Sequence, residues 1–383
     1  MVNIEIIYIL VLSVSLIVPA LFVLFMGERL SYFVPIHKDG RYVSIDGIRG
    51  VLALMVMAHH IIINYYWRTS GKWVAPNHFI ENIGVVAVSL FFIITGFLFF
   101  GKIFSSTPDW KKLFILRFFR IYPLYFLAIL FVIFWSFILG SGIGFGILDF
   151  LESFTRWILF AVGGSAGDFF DYSNTQLVIA GVQWTLKYEW FFYLCLPIFF
   201  YIFRPSMIVF YIFSFAIMIL AIMDVSFLKL NVRFILLFFC GGLSYVFLKD
   251  VVVEGKLRLF LNLVAILLFF SSLVLNRETH LGWLAQTLAI WMFFSLLVVK
   301  CDFFGLLSLK IMRILGEISY SIYLIHGTVI FSYFYFFPVE QGETLLEYSQ
   351  STPIISALVV LFSIVTFYGV ERQGMNLGKR FSS

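Results

Sequence analysis

The sequence predicts an all-α integral membrane protein of about eleven transmembrane helices, with its N-terminus outside and its C-terminus inside. Three observations carry this expectation. The first is composition: 62% of the 383 residues are hydrophobic and 12% are charged, where a soluble domain carries about 25% charged residues. Mean hydropathy is +1.02, and the chain holds 50 Phe, 19 Tyr and 9 Trp. A water-soluble fold cannot hide that much apolar surface. The second is the recurrence of apolar runs of about 20 residues, the length needed to cross a bilayer as helix. The third is an alternation of Lys and Arg between successive loops. Together they exclude a soluble enzyme, a disordered chain and a nucleic-acid-binding domain, and make the bilayer the first partner.

Eleven segments qualify in order: 4–26, 50–66, 83–100, 121–139, 187–203, 206–223, 232–248, 258–275, 281–299, 318–337 and 353–370. The first resembles a secretory signal in position only. It has no basic flank before it and no small-residue cleavage site after it, so it reads as a retained span. Nineteen of the 26 Lys and Arg fall in one set of loops and seven in the alternate set. The positive-inside rule makes the first set cytoplasmic. Residues 144–164 are apolar in part but carry Asp149, Glu152 and Arg156. They read as an interfacial or re-entrant helix on the outer side. Cys195, Cys240 and Cys301 show neither a pairing pattern nor metal spacing. No Gly/Pro-broken span, internal repeat or soluble domain is legible. Residues 1–43 read as an additional N-terminal helix with a cytoplasmic linker, and 44–383 as the main membrane domain.

In such a chain the informative residues are the polar ones that the bilayer penalises. Five stretches stand out. Asp46-Gly47-Ile48-Arg49-Gly50 leads into a span holding His59 and His60. Arg49 and His60 are eleven residues apart, close to three turns, so they share a helix face about 16 Å apart. His59 points about 100° away. Arg117 and Arg120, followed by Tyr122 and Pro123, lie three apart on one face of a helix start. Guanidinium forks match phosphate oxygens, although a basic pair on this side is also ordinary positive-inside charge. Trp184-Thr185-Leu186-Lys187-Tyr188-Glu189 opens another span near its outer end. Ser319, Tyr323 and His326 follow helical spacing along one face. Phe91-Phe92-Ile93-Ile94-Thr95-Gly96-Phe97 by itself is a helix with a small-residue contact point. For both histidines, a hydrogen-bonded packing role is the bland alternative.

Taken together these pieces resemble the membrane-bound acyltransferase family 3, the O-acyltransferases of bacterial surface glycans. The opening Asp-Gly-x-Arg-Gly with a histidine eleven positions after its arginine matches Asp46, Gly47, Arg49, Gly50 and His60. The Phe-Phe-x-x-Ser-Gly-Phe element matches Phe91, Phe92, Gly96 and Phe97, with Thr95 for serine. Arg-x-x-Arg-Ile-x-Pro matches Arg117, Arg120, Ile121 and Pro123. Trp-Ser-Leu-x-x-Glu-x-x-Phe-Tyr matches Trp184, Leu186, Glu189, Phe192 and Tyr193, with Thr185 for serine. A late element matches Gly316 to His326, and Glu371-Arg372 resembles the closing pattern. The chain departs around Ser89, where the family often has an aspartate, and in its extra first helix.

The resemblance implies a ten-helix acyltransferase core in the bacterial cytoplasmic (inner) membrane. It implies an acyl-CoA co-substrate, with acetyl-CoA the expected one and no metal, and a glycan or glycolipid acceptor. Polysaccharide-assembly proteins are the further partners to expect. Acyl transfer needs a hydroxyl activated by a base, and histidine suits that role. His60 is the expected base, with Glu189 beside it in catalysis and Asp46 orienting Arg49. Arg117, Arg120, Arg49 and Tyr122 are expected to hold the donor. Trp184, Thr185, His326, Ser319, Tyr323 and His59 are expected to meet the acceptor. A covalent acyl-enzyme on His60, Ser319 or Ser321 is the second mechanism. A glycan or lipid transporter or flippase is the rival function.

Overall fold

The computed structural model describes residues 4–26, 42–143, 145–162, 164 and 166–382. The linker basic residues Arg29, Lys38 and Arg41 lie outside the described residues. Every one of the eleven apolar segments falls on helix. In chain order these are α1 (Ile4–Met26), α2 (Val43–Ser70), α3 (His78–Ser105), α4 (Trp110–Leu139), the short α5 (Ile147–Ile158), α6 (Trp184–Phe203), α7 (Met207–Ile222), α8 (Val232–Leu248), α9 (Gly255–Val274) and α10 (His280–Val298). Then come α11 (Lys310–Glu317), α12 (Ser319–Phe336), α13 (Leu345–Ser349), α14 (Thr352–Thr366), a π-turn at Phe367–Glu371 and α15 (Arg372–Phe381). A two-stranded hairpin pairs Ser226 with Asn231 between α7 and α8.

Eight of these helices or continuous helical runs are long and apolar enough to cross a membrane by themselves. The other three expected segments fall on a bent pair, α11 with α12, and on α7 and α8 of 16 and 17 residues. The bend is 67°, which corrects the expectation that no span is broken. It follows Gly316, where a Cβ would lie 1.8 Å from the Asp46 carbonyl oxygen. The break is therefore held by the close crossing of α11 over the start of α2. Gly47 serves the same crossing, since a Cβ there would sit 1.9 Å from the Leu307 carbonyl oxygen.

Two helix starts also differ from expectation. α2 begins at Val43 and α4 at Trp110, so Asp46, Arg49, Arg117 and Arg120 are inside helices rather than at their mouths. The Asp109 side chain caps α4 by accepting from the Lys112 amide at 2.9 Å. That cap lets a helix start in polar sequence and carries Arg120 about 15 Å along the axis.

α3 and α8 also approach backbone to backbone, over the most extensive pairing among the described helices. A Cβ on Gly96 would lie 2.0 Å from the Phe238 carbonyl oxygen, and one on Gly241 would lie 2.1 Å from that of Ile93. Small residues let the two backbones touch where no hydrophobic effect drives helix association. The contact-point reading of Gly96 thus describes what this glycine does. α5 has twelve residues, about 18 Å, too short for a hydrocarbon core of about 30 Å. Its inner side is tied down: Trp157 Nε1–H donates to the Gly167 carbonyl at 3.0 Å and Ser153 Oγ to that of Asp168 at 2.7 Å. Ile147, Leu148 and Leu151 are exposed on the other side.

Candidate active site

Five helices converge around a chain of cavities. The first, about 950 Å³, is lined by Arg49 of α2, Thr95 of α3, Arg117 and Arg120 of α4, Glu189 of α6 and Ser319 of α12, among others. The second, about 510 Å³, is lined by His59, His60, Glu81, Trp184 and Tyr323. These two share Val88 and Tyr323 as walls. A third, about 880 Å³, continues past His59, His60 and Trp184 to Trp73 in the loop between α2 and α3. We call them the arginine cavity, the histidine cavity and the vestibule.

In the arginine cavity, the Arg117 guanidinium lies over the Phe99 ring at 4.8 Å. Glu189 accepts a hydrogen bond from the Tyr193 hydroxyl. Arg49 has Asp46 at 3.9 Å, a loose pair in which the Asp46 side chain is half exposed. Three cations therefore line a space of ligand size with one half-buried carboxylate, while Glu371 and Glu317 act on Arg120 from behind the wall. Such a site suits a polyanion. Ser319 also lines it, buried, with no hydrogen-bond partner for its hydroxyl among the described residues. Tyr122 turns elsewhere: its hydroxyl donates to the Ile158 carbonyl at 3.4 Å and its ring stacks on Phe118 at 4.5 Å. It does not join Arg117 and Arg120 on the cavity wall, because residue 122 lies about 200° round the helix from residue 120. Tyr193 and Tyr320 take the aromatic places there instead.

The boundary between the two inner cavities is built by a hydrogen bond. The Tyr323 hydroxyl and Thr185 Oγ1 are 2.9 Å apart, and both reach the Val182 carbonyl, at 3.3 and 3.1 Å. α6 and α12 are thereby joined where the cavities meet.

In the histidine cavity, His60 and His326 are bonded directly. His60 Nδ1 lies 2.9 Å from His326 Nε2, and His326 Nδ1 lies 3.0 Å from the Ile322 carbonyl oxygen. A carbonyl only accepts, so His326 Nδ1 carries the proton, and in a neutral ring its Nε2 is then an acceptor. His60 Nδ1–H must be the donor between the rings. That leaves the Nε2 of His60 with a free lone pair. Trp73 stacks on His60 with ring centroids 5.8 Å apart and planes 19° apart. His59 Nδ1 donates to the Ile80 carbonyl at 2.7 Å, and its ring lies against Gly84, where a Cβ would meet it at 2.8 Å.

Comparison with known families decides the identity. A family model described as an acyltransferase domain matches residues 42–370. The chain belongs to the membrane-bound acyltransferase family 3. No curated protein and no solved structure matches it. The family 3 match begins at the start of α2, so α1 lies before it. α1 still packs on the bundle, with the hydroxyls of Tyr8 and Tyr66 2.6 Å apart.

Within this acyltransferase, the structure brings Arg49, Arg117, Arg120, Glu189, Thr185, Ser319 and Tyr323 to one cavity, and His59, His60, Trp184 and Tyr323 to the next. His326 stands behind His60 as its hydrogen-bond partner rather than on the cavity wall. Glu189 is expected beside His60, but it lines the arginine cavity and not the histidine cavity. Five residues separate it from Trp184, about 140° round the helix, so the two face different cavities. Sequence reasoning missed Glu81, which lines both histidine-side cavities. It also gave no role to Glu371, which is 1% exposed and accepts from Ser321 Oγ at 2.7 Å. Glu371 ends the π-turn, a local irregularity frequent at functional sites, which the sequence pattern does not signal.

Proposed function

We propose that this acyltransferase moves an acyl group from cytoplasmic acyl-CoA, acetyl-CoA first, to a hydroxyl of a surface or exported glycan or glycolipid. The bond from His60 to His326 is the observation that carries the reading. It presents a neutral imidazole with its acceptor nitrogen unused, in a cavity that adjoins three arginines. The uneven split of Lys and Arg supports placing the arginine cavity on the cytoplasmic side.

The CoA phosphates bind Arg117, Arg120 and Arg49, and the pantetheine arm runs past Val88 and Tyr323. The acceptor enters by the vestibule, between Trp73 and Trp184. Its hydroxyl gives its proton to His60 Nε2 as its oxygen attacks the thioester carbonyl. The C–S bond then breaks, and the imidazolium returns the proton to the CoA thiolate. Ester and free CoA are the products. In the transition state His60 is positively charged, and His326 Nε2 accepts a shorter, charge-assisted bond from it. The geometry weighs toward direct transfer, because both substrates reach one base from opposite sides. Membership of an acyltransferase family weighs against the transporter alternative.

Purified protein with radiolabelled acetyl-CoA tests the reading. Thioester cleavage that disappears in His60→Ala supports it. Cleavage at the wild-type rate in that variant removes it.

A further inference from the structure

A second basic cavity stands beside the histidine cavity and has no part in the steps above. It has a volume of about 440 Å³ and is lined by Arg233, Arg277, Asn231, Ser89, Trp283 and Gln286, among others. It shares Val85 and Phe234 as walls with the histidine cavity. Its two guanidiniums come from separate elements: Arg233 from the first turn of α8 and Arg277 from the loop between α9 and α10. The Arg233 guanidinium lies 4.6 Å from the Trp283 ring centroid.

The carboxylates that pair with these arginines are not on its walls. Asp224 meets Arg233 at 3.3 Å and Glu81 meets Arg277 at 3.8 Å, each carboxylate side chain 46% exposed. His280 approaches Arg233 at 3.3 Å, and Glu278 approaches His78 at 3.9 Å nearby. Burial, together with the charge of Arg233, holds the Arg277 guanidinium below its usual range, against the opposing pull of Glu81. The cavity thus presents two guanidiniums whose paired carboxylates stand outside its walls. Ser89 is 4% exposed and lines the cavity. It is an uncharged donor, and among the described residues no acid lines this wall beside the two arginines.

We propose that this cavity binds the anionic group, a carboxylate or a phosphate, of the sugar that accepts the acyl group. With the anion held by Arg233 and Arg277, a neighbouring hydroxyl extends past Val85 and Phe234 toward His60. Trp283 supplies a flat apolar face for the ring, and Asn231, Gln286 and Ser89 supply polar contacts. The inference rests on the acyl-transfer reading for the role of the sugar, but the binding it describes does not need turnover.

Equilibrium dialysis of purified protein with radiolabelled glucuronate, glucose 1-phosphate and glucose tests it without acyl-CoA. At least one anionic sugar binds tenfold or more tightly than glucose, which identifies the carboxylate or the phosphate as the preferred group. Arg277→Gln and Arg233→Gln each lose that preference, whereas Arg277→Lys keeps most of it. Arg117→Gln, in the other basic cavity, leaves it unchanged. Equal binding of all three sugars by the wild-type protein overturns the proposal, and so does a preference that survives in the Arg233→Gln/Arg277→Gln double variant. An unchanged melting temperature without ligand shows that the variants fold. Should they not fold, equal binding of the three sugars by the wild-type protein still overturns the proposal, and so does a preference that Arg117→Gln abolishes. Failure here with His60-dependent thioester cleavage intact removes the acidic acceptor and leaves acyl transfer standing.

Discussion

His60 and His326 lie 266 residues apart in the chain and 2.9 Å apart in space. The direction of their bond is set from behind, by the Ile322 carbonyl that accepts the Nδ1–H of His326 and leaves its Nε2 to accept from His60. In the proposed mechanism this bond leaves Nε2 of His60 as the nitrogen that takes the proton.

His60→Ala removes the base. A positioned general base is worth about 10²- to 10⁴-fold, so transfer falls by that order while the protein still inserts and folds. Steady-state turnover with acetyl-CoA measures it, with circular dichroism and gel filtration as the fold control. A loss of less than threefold would dismiss His60 from the mechanism.

His326 acts through His60. His326→Ala takes away the acceptor for His60 Nδ1–H and frees the ring to rotate or change tautomer, so turnover falls about tenfold or more while acetyl-CoA affinity stays put. His326→Gln keeps a carbonyl acceptor and recovers part of the loss. If alanine and glutamine behave alike, orientation through this bond is not what His326 contributes.

Arg117→Gln and Arg120→Gln weaken donor binding. A charge-assisted hydrogen bond contributes about 1.5–3 kcal/mol, which corresponds to a rise in KM for acetyl-CoA on the order of tenfold or more. Lys111 is exposed in the first turn of α4, and Lys111→Gln changes KM little. Equal effects at all three positions would reduce the arginines to topology signals.

Glu189→Gln leaves three arginines facing an uncharged amide. Turnover falls, and Tyr193→Phe, which removes the hydroxyl that donates to Glu189, falls less in the same direction. Full activity in Glu189→Gln would make this carboxylate structural only.

Gly96→Val drives a side chain into the Phe238 carbonyl. Overpacking costs about 1–3 kcal/mol, so the melting temperature in detergent drops by several degrees. Gly369→Ala is the control, because a Cβ there meets nothing within 4 Å. Matching melting temperatures for the two variants would show that α3 and α8 separate at no cost.

Much of this molecule is legible in one dimension. The helical membrane class follows from composition, because apolar side chains in this number have no other place to go. The eleven helical segments follow from hydropathy, and the pairing of Arg49 with His60 on one face follows from helical periodicity. The chemistry-bearing residues could be picked out because charge and imidazole are expensive in a bilayer and stand out against Leu and Phe.

Tertiary structure decided the rest, since spacing along one helix says nothing about what another helix brings to it. It set Glu189 among the arginines and Tyr122 away from them, since each faces whichever neighbour its helix happens to meet. It put a 67° break after Gly316, where α11 crosses α2 too closely for any side chain. It joined residues 60 and 326, and so chose the protonation pattern of the base. Composition and periodicity determine which residues are buried and on which face, but hydrogen-bond direction is a property of two partners, and only the fold brings the partners together.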